Sequence, residues 1–199
     1  MTEVVLVRHG ATAWSGRRYC GRSDPPMHAA GVAAVALMAA TLAPSLPPGL
    51  RIISSPSRRA RGTARAIAGA AGIEDAEVEV DERWLEADIG TAEGRTFDEL
   101  AAFAPDLAAA LARGETAIDW PGGETAAALA IRVEAAWDEI ISRAVPTVIV
   151  SHAGPLRLAM GLALGRPVAH VEFLEPAAIA RVQVVREPAD RPTVLGSLS

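Results

Sequence analysis

Two stretches carry a histidine directly from an apolar run to a nearby glycine: LVRHGAT at 6–12 and IVSHAG at 149–154. A third apolar run, Arg51–Ser54, leads into Ser55-Pro56, with Arg58, Arg59 and Arg61 just beyond. A fourth feature, RWLEADIGTAEG at 83–94, places Glu86 in a glycine-punctuated segment. Taken singly, each has a structural reading. A histidine after a strand is often held by hydrogen bonds alone, and arginines early in a helix oppose its macrodipole. Taken together they leave the same edge of one sheet, where parallel sheets bind ligands. Two imidazoles and two or more guanidiniums make a cationic pocket, and the planar fork of arginine suits phosphate oxygens. Positive neighbours disfavour protonation of a histidine and leave a ring nitrogen free as a nucleophile. A glutamate close by supplies the proton that a departing alkoxide needs. Gly10 and Gly154 are expected to let a phosphate approach the backbone closely. No metal is required.

The elements that must position these groups alternate. Val4–Val7, Arg51–Ser54, Glu77–Val80 and Thr147–Val150 read as strands, the continuous apolar runs indicating burial on both faces. Helices are expected from Gly31 to Leu42, after Ser55 as far as Gly72, and over Thr96–Arg113 with a break at Pro105. Others are expected from the WPGGET turn (120–125) to Arg143 and after His152, with one or two closing strands in Phe173–Val185. Alternating strands and helices predict an α/β three-layer sandwich with a mostly parallel central sheet flanked by helices. Residues 1–199 read as a single domain, with 86–125 as a candidate cap.

Composition narrows the function. The 199-residue chain carries a net charge of −5, and all 19 of its basic residues are arginine. A mildly acidic chain has no global field for nucleic acid. One cysteine, Cys20, excludes an internal disulfide and a thiolate metal cluster. The spacing of His9, His28, His152 and His170 does not suit a zinc site; His28 and His170 read as structural. The absence of a basic leader and of a long apolar run points to a cytoplasmic chain with no membrane partner. Without lysine there is no P-loop, and without G-x-S-x-G no serine-hydrolase elbow.

LVRHGAT, SSPSRRARGTA, LEADIGTAEG, PGGET and VSHAG, in that order, resemble the successive motifs of the histidine phosphatase superfamily, the phosphoglycerate-mutase-like fold. The resemblance implies phosphoryl transfer through a phosphohistidine, without a cofactor. His9 matches the nucleophile, Arg8 and Arg59 the phosphate-gripping arginines, Glu86 the proton donor and His152 the second histidine. Arg58 and Arg61 fall off the register and read as surface charges. Ala11 stands where the family often has Glu, and Ser15 where it often has Asn. YCGRSDPPMHAAG resembles the G-x-x-D stretch, placing Gly21, Arg22 and Ser23 at the rim with Arg22 toward substrate. Ala153 and Gly154 complete the expected phosphate site.

The mutases of that family carry a long insertion after the acid and a lysine contact. Here only residues 87–120 separate Glu86 from the PGGET turn, and there is no lysine. A phosphatase of a small phosphate monoester is therefore expected, with a sugar phosphate or α-ribazole phosphate as substrate. The alternatives are mutase-type transfer and a non-catalytic module that binds a phosphoryl ligand. Trp14, Trp84 and Trp120 are candidates either to stack on substrate or to pack the core. The sequence is silent on oligomeric state.

Overall fold

Strand β1 (Thr2–Arg8) shows what an unbroken apolar run accomplishes. Val5 and Val7 enter one apolar layer and Val4 and Leu6 the opposite one, all almost completely buried. The computed structural model describes residues 2–74, 77–185 and 193–195. In chain order β1 is followed by α1 (Ala29–Leu42), β2 (Arg51–Ser54), α2 (Arg58–Ala70), β3 (Val78–Val80), α3 (Phe97–Phe103) and α4 (Pro105–Ala112). Then come α5 (Ala126–Arg143), β4 (Thr147–Ser151), α6 (Ala153–Leu164), β5 (Ile179–Val185) and β6 (Thr193–Leu195).

The described strands form one sheet in the order β3-β2-β4-β1-β5-β6, in which β5 alone runs against the others. Helices α1 and α2 cover one face through Val35, Leu42, Ala64 and Ile67. Helices α5 and α6 cover the other through Val133, Trp137, Leu156 and Met160. This is the three-layer α/β sandwich that the alternating pattern predicts. No described helix is long and apolar enough to cross a membrane.

Of three boundaries, the break at Pro105 falls where the sequence reading puts it and the other two differ. Helix α1 starts two residues before Gly31, because the ring of His28 caps it by accepting the Gly31 N–H at 3.0 Å. The chain over 96–113 makes two helices, separated at Ala104, where Pro105 removes a backbone donor and starts α4. The closing strand begins at Ile179 and not near Phe173: Pro176 interrupts the run, and Ala177 takes a positive φ of 61° while its N–H meets the carbonyls of Arg8 and His9. Between β3 and α5, residues Ala87, Ile89, Ala92, Leu100 and Ala108 build a third apolar cluster, against which Tyr19 and Leu129 pack.

The loop after β1 lies tightly on α1. A methyl group at Gly31 would stand 2.1 Å from the Ala11 carbonyl oxygen, backbone that has no room to retreat. Gly31→Ala is expected to lower stability by about 1–3 kcal/mol, read as a lower midpoint in urea unfolding with an unchanged m-value.

Candidate active site

Register brings the charged strand ends together. Strand β4 lies between β2 and β1, with Ser54 opposite Val150 and Arg8 opposite Ser151. One step beyond, Ser55, His152 and His9 emerge side by side at the carboxyl edge. The two imidazoles stand edge to face, their centres 4.9 Å apart. Both are buried.

Hydrogen bonds fix both tautomers. The His9 Nδ1 lies 2.8 Å from the Gly10 carbonyl, which only accepts, so Nδ1 carries the proton. Its Nε2 is then a lone pair, and accepts from Arg59 Nε at 3.2 Å. Burial, and then the charges of Arg59 and Arg8, depress the His9 pKa to about 3 despite the Gly10 bond. His9 is thus an unprotonated base aimed into a cationic hollow. The His152 Nδ1 accepts from Arg59 Nη2 at 3.2 Å, so its proton sits on Nε2 and is donated to Ser55 Oγ at 2.8 Å. Burial, His9 and the surrounding arginines hold His152 well below its ordinary range.

Arg59 is the hub. Besides both imidazoles it donates to the carbonyls of Ser23 and Gly21 and pairs with Asp24 at 3.2 Å. Asp24 also accepts the backbone N–H of Arg58, and so supplies a carboxylate at the start of α2. The sequence reading sees a cluster of arginines opposing that helix's dipole; the structure adds an acid that answers them. Arg8 donates from Nη1 to the Leu174 carbonyl at 2.6 Å, while its buried Nε has no hydrogen-bond partner among the described residues. A buried guanidinium N–H without an acceptor fits an anion.

Glu86 faces the same edge. Its carboxyl accepts the N–H groups of Ala87 (3.0 Å) and Gly154 (3.4 Å). Burial pushes its pKa up, against the opposing pull of those N–H groups and of Arg8 and Arg59. The loop that carries it is clamped by Arg132 on α5, which donates to the carbonyls of Arg83, Leu85 and Glu86 at 2.7, 2.7 and 3.2 Å. Glu124 grips the same guanidinium at 2.7 and 2.8 Å, which gives the PGGET turn a physical purpose. Ser151 Oγ adds a bond to the Trp84 carbonyl.

The structure brings Arg8, His9, Arg59, Glu86 and His152 to one edge, as expected, and leaves Arg58 and Arg61 exposed. Gly21 and Ser23 serve through their carbonyls on Arg59, and the Arg22 side chain turns to Glu124 at 3.8 Å. Ser15 closes its own loop by accepting the Thr12 N–H at 2.9 Å. The two glycines make room for neighbouring side chains. A methyl group at Gly154 would meet Glu86 Oε1 at 2.6 Å, and one at Gly10 would meet Val35 and Met27 at 2.5 and 2.6 Å. Gly154, at the start of α6 after Ala153, makes room for the acid, and Gly10 for packing against α1. Burial pushes the Cys20 thiol up to about 11, so it is protonated at neutral pH. Trp84 is core, Trp14 lies against Gly94, and Trp120 packs with Tyr19. Among the described residues no three His, Cys, Asp or Glu side chains are grouped to hold a metal ion. Asp24, Ser55, Glu124 and Arg132 were not singled out from sequence. Asp24 and Glu124 lie inside quoted motifs, whereas Arg132 has no local signal.

Residues 4–196 match the model of the histidine phosphatase superfamily (branch 1), and the chain belongs to that superfamily. It is 36% identical over 167 residues to the bifunctional protein Rv2228c of Mycobacterium tuberculosis, covering 82% of this chain but 44% of that protein. It is 33% identical over 188 residues to a probable phosphoglycerate mutase, GpmB, of Enterobacter sp. (strain 638), covering 92% of this chain and 81% of the relative. Among solved structures, a mycobacterial glucosyl-3-phosphoglycerate phosphatase in complex with VO3 superposes with a TM-score of 0.84 at 26% identity, covering 100% of this chain and 97% of that one.

The unpartnered Arg8 Nε and the cationic hollow give a binding prediction independent of turnover. Inorganic phosphate or vanadate at 100 times its Kd should stabilise the fold by about 2.7 kcal/mol, seen as a raised melting temperature. Arg8→Met should remove most of that rise.

Proposed function

We propose that the chain is a phosphatase hydrolysing a small-molecule phosphate monoester through a phosphohistidine. The observation that carries this reading is His9 held with its proton on Nδ1 and its Nε2 lone pair facing Arg59 and His152. The phosphoryl group takes the place of the Arg59–His9 hydrogen bond, and its oxygens receive the N–H groups of Arg59 and Arg8. His9 Nε2 attacks phosphorus in line, the ester P–O bond breaks, and the proton of Glu86 passes to the leaving oxygen. As the N–P bond forms, the ring becomes cationic and the Gly10 carbonyl stabilises its Nδ1–H. The dianion beside His152 reverses the local charge, so that Nδ1 takes up a proton from solvent as the ester binds and shares it in a hydrogen bond to a phosphoryl oxygen. Glu86, now a carboxylate, takes a proton from water as that water attacks phosphorus. The N–P bond breaks, its electron pair returns to Nε2, and phosphate leaves.

Residues 86–125, with their own apolar cluster above the edge, are proposed as a cap within a single domain. A sugar phosphate and α-ribazole phosphate are proposed substrates. The likeness to a probable phosphoglycerate mutase supports a second reading, in which 2,3-bisphosphoglycerate supplies the phosphoryl group and a phosphoglycerate accepts it. Mixing the enzyme with each donor and following either free phosphate or isomerised product separates the two.

Hydrolysis assayed with EDTA present, with quenching to trap an acid-labile phosphohistidine, tests the chemistry. His9→Ala should abolish both turnover and label; phosphate binding with neither turnover nor label in the wild type would favour a binding module. Glu86→Ala should slow an alkyl phosphate by about 10²–10⁴-fold and p-nitrophenyl phosphate much less, because a phenolate leaves without a proton. An equal loss on both esters would remove Glu86 from the proton-donor role. The pH profile follows from the two shifts. kcat/KM reports phosphorylation alone, which needs His9 unprotonated and Glu86 protonated. Its acid limb should therefore lie near His9's value of about 3. Its alkaline limb should appear as pH rises through the raised pKa of Glu86. Glu86→Gln should erase the alkaline limb.

A further inference from the structure

The phosphate end of the site is cationic, but what adjoins it is not. A cavity of about 520 Å³ opens beside Glu86 and the start of α6, a volume suited to a small organic ligand. Ile89, Ile118, Trp120, Leu129, Leu158 and Phe173 wall it. Among the described residues that line it, Arg157 is the one cation, and it is already engaged. It donates to the Val171 carbonyl and stacks at 4.2 Å over the Phe173 ring. Neither acidic group on the wall attracts a carboxylate: Glu86 is the proton donor, and Glu115 pairs with Arg113 at 2.7 Å. Nothing else on the wall neutralises a negative leaving group, and few side chains there offer the hydrogen bonds that a sugar's hydroxyls would lose on leaving water.

We propose that this cavity holds the alcohol half of the substrate and selects phosphate monoesters whose alcohol carries an apolar body, an aromatic ring or branched hydrocarbon, over phosphorylated sugars and acids. The proposal rests on the phosphatase reading and narrows it, away from a simple sugar phosphate and toward esters with an apolar body. Glu86 stands at the junction of the two regions, so an ester lying across it presents phosphorus to His9 and its bridging oxygen to the acid while its hydrocarbon enters the cavity. Apolar surface buried there contributes in proportion to its area, and a phenyl ring removes enough from water to matter by orders of magnitude.

The test uses esters with the same primary alkoxide leaving group and different bodies: 2-phenylethyl phosphate, ethyl phosphate, glucose 6-phosphate and 3-phosphoglycerate. The expected result is kcat/KM for 2-phenylethyl phosphate about 10²-fold above ethyl phosphate, by the area argument, and further above the sugar and acid esters. Ala130→Trp, which fills the cavity from α5, should reduce the phenylethyl-to-ethyl preference by roughly tenfold or more. Ala130→Leu provides a milder filling, should the larger residue compromise folding. Turnover with equal rates for phenylethyl and ethyl esters, or with glucose 6-phosphate or 3-phosphoglycerate preferred, overturns the cavity assignment and leaves the phosphohistidine chemistry standing. No turnover of any ester and no trapped phosphohistidine overturns both.

Discussion

One guanidinium organises this site. Arg59 donates to the Nε2 of His9 and the Nδ1 of His152 at the same 3.2 Å distance, and because it can only donate, it dictates that both nitrogens are lone pairs. The protons are thereby driven to the far side of each ring, onto the Gly10 carbonyl and the Ser55 hydroxyl. Burial reinforces the choice by making a second, imidazolium proton costly. An imidazole nitrogen that protons occupy part of the time in water is here kept free by its surroundings. That arrangement holds only because Ser23, Gly21 and Asp24 fix Arg59 in turn.

Much of this was legible in the sequence because strand ends are strongly marked. Uninterrupted β-branched runs that stop at Arg8-His9 and Ser151-His152 announce both burial and the edge where burial ends. What the sequence alone lacks is strand order. The insertion of β4 between β1 and β2 sets His152 between His9 and Ser55, and no local pattern reports it. For the same reason the supporting residues stayed hidden. Arg132 reads as one polar position on an amphipathic helix until the loop at 83–86 is laid across it.

The glycines show the converse limit. Gly10 and Gly154 make space, as their residue type suggests, and what stands against it is Val35 and Met27 at one and the Glu86 carboxyl at the other. Residue type reveals that a close approach occurs; identifying what approaches requires the third dimension. The end of the apolar run before β5 is similar, since Ala177 reaches the β1 terminus by a positive φ that its residue type does not suggest.

Glu124 has a wider reach than its pairing with Arg132 implies. Its carboxylate also stands 3.8 Å from Arg22, and Glu93 holds the neighbouring N–H groups of Gly21 and Arg22 at about 3 Å. The strand of chain that braces Arg59 and the strand of chain that presents Glu86 are therefore tied to each other through two acidic side chains. A shift of either segment therefore strains the other, so the guanidinium at the sheet edge and the carboxyl beside it share one mechanical support.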